Sequence, residues 1–343
     1  SVKNKKFDLR KYKRIIVIGF GKASSLMGSE LESILGGRIG DGIIISTKEV
    51  KLRRIKLVKG EHPMPSIRNV KATKKMVHLL KSLNKDDLVL CLISGGGSAL
   101  LCYPNIAFSG YIKRVKKAFK SGIDIAKFNE MRKRLSNVKG GKLAKLTKAK
   151  VVSLIFSDVV GDDLSTIASG PTYGARNATN ILLLNNKTAL DAMRKKAEAL
   201  GYKPKILTSR LKGEARDVGK KIINKVGKGC FLFAGETTVA VKGKGKGGRN
   251  QEFCLGAIED ISRLDNCVIV SVGSDGRDGP TDAAGAFVDN NSFERSIGNR
   301  LDYKKHLDNN DAYNFFRKMD DLVFTGLTGS NIADIGVLII DKA

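Results

Sequence analysis

The chain has no tryptophan, only six prolines and three histidines, and few acidic residues for its length. Its five cysteines, Cys91, Cys102, Cys230, Cys254 and Cys267, are odd in number, widely spaced and free of any CxxC pair. That pattern excludes a disulfide framework and a cysteine zinc site, and it reads as buried reduced thiols. His62, His78 and His306 show neither metal spacing nor a nucleophile partner, which argues against a Ser/His/Asp hydrolase; only His62, just before the two prolines of "GEHPMP", stands out. No apolar run approaches the roughly 18 residues of a membrane-spanning helix. The opening segment "SVKNKKFDLRKYKR" has no apolar secretory core, so the expectation is a cytoplasmic protein with no membrane partner.

What is plentiful is positive charge and glycine. Sixty-two Lys plus Arg stand against 34 Asp plus Glu, a formal net charge of +28, and there are 37 glycines in 343 residues. Such a field attracts polyanions. The cations, however, are mostly lysines scattered through amphipathic segments such as "KRVKKAFK" (113–120), with no interleaved aromatics. A nucleic acid is therefore not expected as the main partner, and a basic surface favouring small anionic substrates fits better. The length suits two domains.

Short apolar runs alternate with helix-length periodic segments, the pattern of an α/β fold. Strands are expected at 14–19, 41–46, 55–59, 87–94, 151–156 and 204–207, with helices at 23–35, 70–83, 109–119, 124–136 and 187–200. These form a Rossmann-like parallel sheet over residues 1–226. A helix at 214–226 leads into a smaller C-terminal α/β domain with a mixed sheet, residues 227–343. Its strands are expected at 229–234, 238–242, 267–273, 284–288 and 336–340, its helices at 249–263 and 309–318.

In open α/β sheets, ligands bind beyond the carboxyl ends of strands, so the residues following each apolar run carry the functional reading. "FGKAS" gives Lys22, and "LISGGGSALL" gives Ser94, Gly95, Gly96, Gly97, Ser98 and Ala99. "SDVVGDD" gives Asp158, Asp162 and Asp163, and "GSDGRDGPTD" gives Asp275, Asp278 and Asp282. Six carboxylates in two short loops of so basic a chain stand out. Together these loops hold what phosphoryl transfer requires: glycine backbone, serine hydroxyls and a lysine for phosphate, and carboxylates for Mg²⁺ and for a hydroxyl proton. The aspartates can equally be turn residues or helix caps. "AGETTV" adds Glu236, the helix start "GGRNQ" adds Arg249 and Asn250, and "TGSNIAD" adds Asn331 and Asp334. "GFGKAS" is neither a Walker A loop nor a dinucleotide fingerprint; "GKGKGG" (243–248) matches GxGxxG but is a lysine-rich, low-information match.

These segments, with "GEHPMPS", "MRKRLSNVKGGKLA" and "STIASGPT", resemble in order and in kind the glycerate 2-kinase family, some of whose members are labelled hydroxypyruvate reductase. The likeness runs from about residue 15 to 340. It implies ATP-dependent phosphorylation of D-glycerate at its 2-hydroxyl to give 2-phosphoglycerate and ADP, with ATP and Mg²⁺ or another divalent cation as cofactors. It further implies an active site in the cleft between the two domains. On that resemblance Lys22 and Arg249 match the basic pair of the catalytic cleft, Asp158 and Asp275 its acidic residues and candidate metal ligands, and residues 94–99 its phosphate loop. Glu236, Asn250, Asn331 and Asp334 fall at the edges of the pocket. The chain is expected to act as a monomer or homodimer, and removal of Arg249 to cost orders of magnitude in turnover with the fold intact. The alternatives are an NAD(P)H-dependent hydroxypyruvate reductase and a basic nucleic-acid-binding protein.

Overall fold

The structure, a computed structural model, describes residues 1–121 and 125–341. The chain divides into two compact units, Ser1–Leu184 and Asn185–Ala343. In the first, strands β1 (Arg14–Phe20), β2 (Ile39–Ser46), β3 (Lys56–Lys59), β4 (Asp87–Ile93), β5 (Lys150–Phe156) and β6 (Ala178–Leu184) form one sheet in the order β3-β2-β1-β4-β5-β6, with every pair parallel. Helices α1 (Ser24–Leu35), α2 (Ile67–Lys81), α3 (Gly97–Leu100), α4 (Phe108–Lys120) and α5 (Ile125–Arg134) lie in the connections. Residue 124 of the helix expected at 124–136 is outside the described residues.

A parallel sheet covered on both faces needs nearly continuous apolar strands, and β1 and β4 are apolar after their first residues, Arg14 and Asp87. Along β1, Ile16, Ile18 and Phe20 enter one core while Ile15 and Val17 enter another. β4 divides the same way, with Val89, Cys91 and Ile93 on the first side and Leu88, Leu90 and Leu92 on the second. The period-two alternation of side chains thus builds a core on each face and fixes the register of the central strands. The strand order reverses between β1 and β4, and there the loops leaving the two carboxyl ends face each other.

The second unit begins with α6 (Asn186–Ala199), β7 (Pro204–Leu211), α7 (Ala215–Ile223), β8 (Gly229–Gly235), α8 (Arg249–Ile261), β9 (Cys267–Gly273) and β10 (Gly285–Asp289). It ends with α9 (Ser292–Gly298), α10 (Tyr303–Asp308), α11 (Ala312–Met319), β11 (Leu322–Val323) and β12 (Asp334–Ile340). The sheet order is β11-β10-β9-β12-β8-β7. It is mixed: β7 pairs with β8 in parallel, and β12 runs antiparallel to both β8 and β9. α8 lies over one face against Phe231, Phe233 and Leu338, while Leu190 and Ala197 of α6 meet Cys230, Leu232 and Ala234 on the other.

The boundary near residue 226 is corrected to the Leu184–Asn185 junction. The strand expected at 204–207 pairs with β8 and belongs to the second sheet, and the sixth strand of the first sheet is β6, where no strand is expected from the sequence. β6 is an edge strand whose residues are mostly half-exposed, and it opens with Ala-Thr-Asn, so it lacks the apolar run that marks its neighbours. The strand expected at 238–242 is absent: Thr238 makes only an isolated bridge to Glu214. α9, α10 and β11 have no counterpart among the expected elements. All five cysteines are free and buried, as their apolar surroundings imply.

Candidate active site

In the first unit, the loops after β1, β3, β4 and β5 meet around the three glycines. Ser94 is buried, and its Oγ accepts the Ala23 N–H at 3.0 Å while the Lys22 N–H donates to the Gly95 carbonyl at 2.8 Å. Ser94 therefore joins the β1 loop to the β4 loop. Gly96 sits at φ +79°, in the left-handed region glycine adopts without strain, and a Cβ there would lie 3.0 Å from His62 Cδ2 and 3.2 Å from Lys22 Cγ. A Cβ on Gly95 would overlap the Asp158 carboxylate. Lys22, His62 and Asp158 thus close on the bare backbone of two adjacent residues.

The backbone hydrogen bonds of this segment are incomplete in an informative way. The Gly97 N–H donates to the Ser94 carbonyl at 3.2 Å and the Ala99 N–H to that of Gly96 at 3.1 Å. The N–H groups of Gly95, Gly96 and Ser98 meet no protein acceptor among the described residues. Backbone donors in such turns are ordinarily paired, and three together form a concavity suited to an oxyanion. Of the six residues expected to bind phosphate, these three offer free donors. Ala99 is buried within α3, and the Ser98 hydroxyl pairs with Ser169 Oγ at 2.8 Å.

Electrostatics sharpen the arrangement. Burial raises the Asp158 carboxyl above its ordinary range, against the pull of its own backbone N–H and of Lys22. His62 is exposed by surface area, yet partial desolvation of the ring, followed by the Lys22 and Arg132 charges, draws its imidazole down to about 4. At neutral pH it is uncharged. Asp163 is a turn residue, bonded to the Ser165 N–H and to the Ser165 and Thr166 hydroxyls.

The second unit gathers Glu236, Arg249, Asn250, Asp275, Asn331 and Asp334 around the ends of its central strands. The register aligns Asp334 with Gly235 at the end of β8 and with Gly273 at the end of β9. Arg249, the first residue of α8, bonds Asp334 through Nε (2.5 Å) and Nη2 (2.9 Å), and its Nη1 lies 3.0 Å from Glu236 Oε1. Burial works against the guanidinium charge, but Asp334, Glu236 and Asp278 outweigh it and hold Arg249 above its ordinary value. Burial also raises Asp334, and the bonds from Arg249 and Asn250 oppose that rise. Asn250 Nδ2 bridges Asp334 and Asp278 at 3.1 Å each, and Asn331 Oδ1 takes the Ala333 N–H at 2.9 Å. Asp275 lies close enough to raise Asp334 further, and its Oδ1 caps the Arg277 N–H at 3.1 Å.

Asp278 is a helix cap. Its carboxylate accepts the N–H groups of Asn250 (3.0 Å) and Gln251 (2.8 Å) at the start of α8, which orients Arg249 beside it. Burial pushes its carboxyl up to about 6 against those bonds. The folded state therefore holds this proton more tightly than the unfolded chain. Stability from it is full below pH 4 and is lost as pH rises through 6, about 3 kcal/mol at roughly 1.4 kcal/mol per unit. Denaturant titrations are expected to show that Asp278→Asn costs less stability at pH 7 than at pH 4; an equal or larger loss at pH 7 would remove this account.

Residues 1–200 match the family described as "Domain of unknown function (DUF4147)", and residues 229–334 match the MOFRL family. A glycerate 2-kinase of Pyrococcus horikoshii is 34% identical, over 99% of this chain and 90% of that protein. The chain belongs to the glycerate kinase family. A crystal structure of a glycerate kinase from Thermotoga maritima superposes with a TM-score of 0.91 at 32% identity, over 95% of this chain and 91% of that one. A protein of Agrobacterium vitis named putative hydroxypyruvate reductase is 35% identical, over 95% of this chain and 99% of its own.

Within this member of the glycerate kinase family, "GKGKGG" is explained by packing. Asn310 Oδ1 accepts the N–H groups of Lys242 and Gly243, Asn309 Oδ1 that of Lys244, and Asp311 Oδ1 that of Lys246. A dinucleotide loop offers its backbone to a pyrophosphate, and this one is already committed to residues 309–311. Sequence reasoning misses Arg132, Lys139 and Ser169, which lie behind the triple glycine. Among 62 cations, nothing in the sequence distinguishes a buried one.

Proposed function

We propose that the protein catalyses ATP-dependent phosphorylation of D-glycerate at its 2-hydroxyl, giving 2-phosphoglycerate and ADP. The observation that carries this reading is the set of three unpaired N–H donors at Gly95, Gly96 and Ser98 beneath Lys22 and Asp158. Phosphoryl transfer depends chiefly on positioning and on neutralising spread-out negative charge, and this loop offers donors and a cation for both. Lys22 and Arg249 would hold the substrate carboxylate and the transferring phosphoryl. Asp158 or Asp275 would accept the hydroxyl proton. A carboxyl raised by burial, as in Asp158, suits that task better than an ordinary one, because a base works best near the operating pH.

Among the described residues no group of three or more His, Cys, Asp or Glu could cage a metal. Mg²⁺ ordinarily takes one or two protein carboxylates and completes its shell with phosphates and water, which a single Asp158 beside a phosphate loop fits. Asp158, with Asp275 as the other candidate, would hold it. When bound, the cation supplies charge neutralisation for the transferring group. No described helix is long and apolar enough to cross a membrane. Five buried unpaired thiols suit the reducing cytoplasm, where we place a monomeric or homodimeric enzyme.

A coupled ADP-release assay with D-glycerate is expected to show turnover, and product assignment to give the 2-phosphate. No ADP release with glycerate, glycolate or tartronate would overturn the reading. Hydroxypyruvate reduction is the second reading, favoured only by the names of relatives such as that of Agrobacterium vitis. Steady NADH or NADPH oxidation with hydroxypyruvate would support it.

A further inference from the structure

Two cations lie buried behind the triple-glycine loop. Lys139 is 1% exposed and Arg132 7% exposed, and neither makes an ion pair among the described residues. Lys139 Nζ donates to the carbonyls of Ser98 (2.8 Å) and Leu101 (2.9 Å), pinning α3 from behind. Arg132 stacks over the Phe128 ring at 4.5 Å and bonds the Tyr111 hydroxyl, and its buried Nε has no hydrogen-bond partner. Burying a charge without a partner costs several kcal/mol, and here two like charges are buried near each other. Burial first and then the Arg132 charge lower the Lys139 ammonium to about 7.

The placement is directional. On α5, Asn129 and Arg132 are three residues apart and share a face. Asn129 Oδ1 lies 3.5 Å from Ser169 Oγ, which pairs with Ser98 Oγ, so that face of α5 is turned toward the loop whose Gly95, Gly96 and Ser98 N–H groups are unpaired. On the other side Arg132 acts on His62, the ring against Gly96.

We propose that Arg132 is an oxyanion-binding residue of this site, its free Nε–H and its charge completing the donor set of the triple-glycine loop. The oxyanion is a nucleotide phosphate or the carboxylate of the hydroxy acid. The inference rests on the kinase reading of the loop and extends it to a residue on α5. A buried cation kept for a ligand weakens the free protein, so its removal separates binding from folding.

The test is calorimetric binding of ADP and of D-glycerate, each alone, to the full chain and to Arg132→Met, with melting temperatures in the absence of ligand. The expected result is at least tenfold weaker binding of one or both ligands and an unchanged or higher melting temperature, since an apolar side chain replaces an unpaired buried charge. Loss confined to ADP assigns the phosphate, and loss confined to glycerate assigns the carboxylate. Affinities within twofold of wild type for both ligands overturn the proposal. If Arg132→Met does not fold, Arg132→Lys carries the same test, because it keeps a cation but lacks Nε. Wild-type protein that binds neither ligand overturns the kinase reading along with this one.

Discussion

Arg249→Ala is expected to lower kcat about a thousandfold and also to weaken the fold, where the sequence alone points to an intact one. On the role proposed for Arg249, the activity loss follows from removing a preorganised cation where negative charge develops, a change that typically costs about 10²–10³ in rate. The stability loss follows from Asp334, which Arg249 grips through Nε and Nη2 and which is only 9% exposed at its side chain. Removing one partner of a fully buried pair costs about 3–5 kcal/mol. One third of the Arg249 side chain reaches water, so about 2–3 kcal/mol is the expected figure after screening. Initial rates and denaturant titrations on the same preparation separate the two effects. Arg249→Lys is expected to recover much of the stability and little of the rate, because a point charge can face Asp334 but cannot contact Asp334 and Glu236 in one fixed fork. A near-normal kcat for Arg249→Ala would remove Arg249 from the site.

The parts of the molecule legible in the sequence are those in which local pattern and burial agree. β1, β4 and β5 are apolar along most of their length because both faces of their sheet are covered, and their loops are legible as strand ends from the sequence pattern. β6 and β7 escape that logic, since edge strands with half-exposed residues need no continuous apolar run, and pattern alone omits β6 and assigns β7 to the first sheet. In the acidic loops, residue type cannot separate function from capping: Asp158 lies against Gly95, while Asp163 and Asp278 tie down turns and a helix start. Burial of Arg132 and Lys139 depends on tertiary packing of α5 and of the segment after it, which periodicity does not reveal in a chain so rich in surface lysine.

Gly95→Ala is expected to reduce kcat/KM about a hundredfold while changing stability by less than about 1 kcal/mol. Gly95 is outside the left-handed region, so alanine fits its backbone without strain, and the added Cβ meets Asp158 Oδ2, Cγ and Cβ before anything else. The Asp158 side chain can swing aside, which preserves the fold but takes the carboxylate from the three N–H donors. A displacement of about 1 Å in a positioned group can cost about 10²-fold in rate. Gly96→Ala differs in kind, since φ +79° is itself costly by about 1–2 kcal/mol for a residue with a Cβ, and its rate loss would be mixed with strain. The double variant Gly95→Ala/Asp158→Ala decides whether displacement of this carboxylate is the cause. If it is, the second substitution adds almost nothing to the first, because residues acting as a unit are strongly non-additive. If the two losses multiply, the alanine methyl acts on the oxyanion cradle directly, and Asp158 contributes from elsewhere in the reaction.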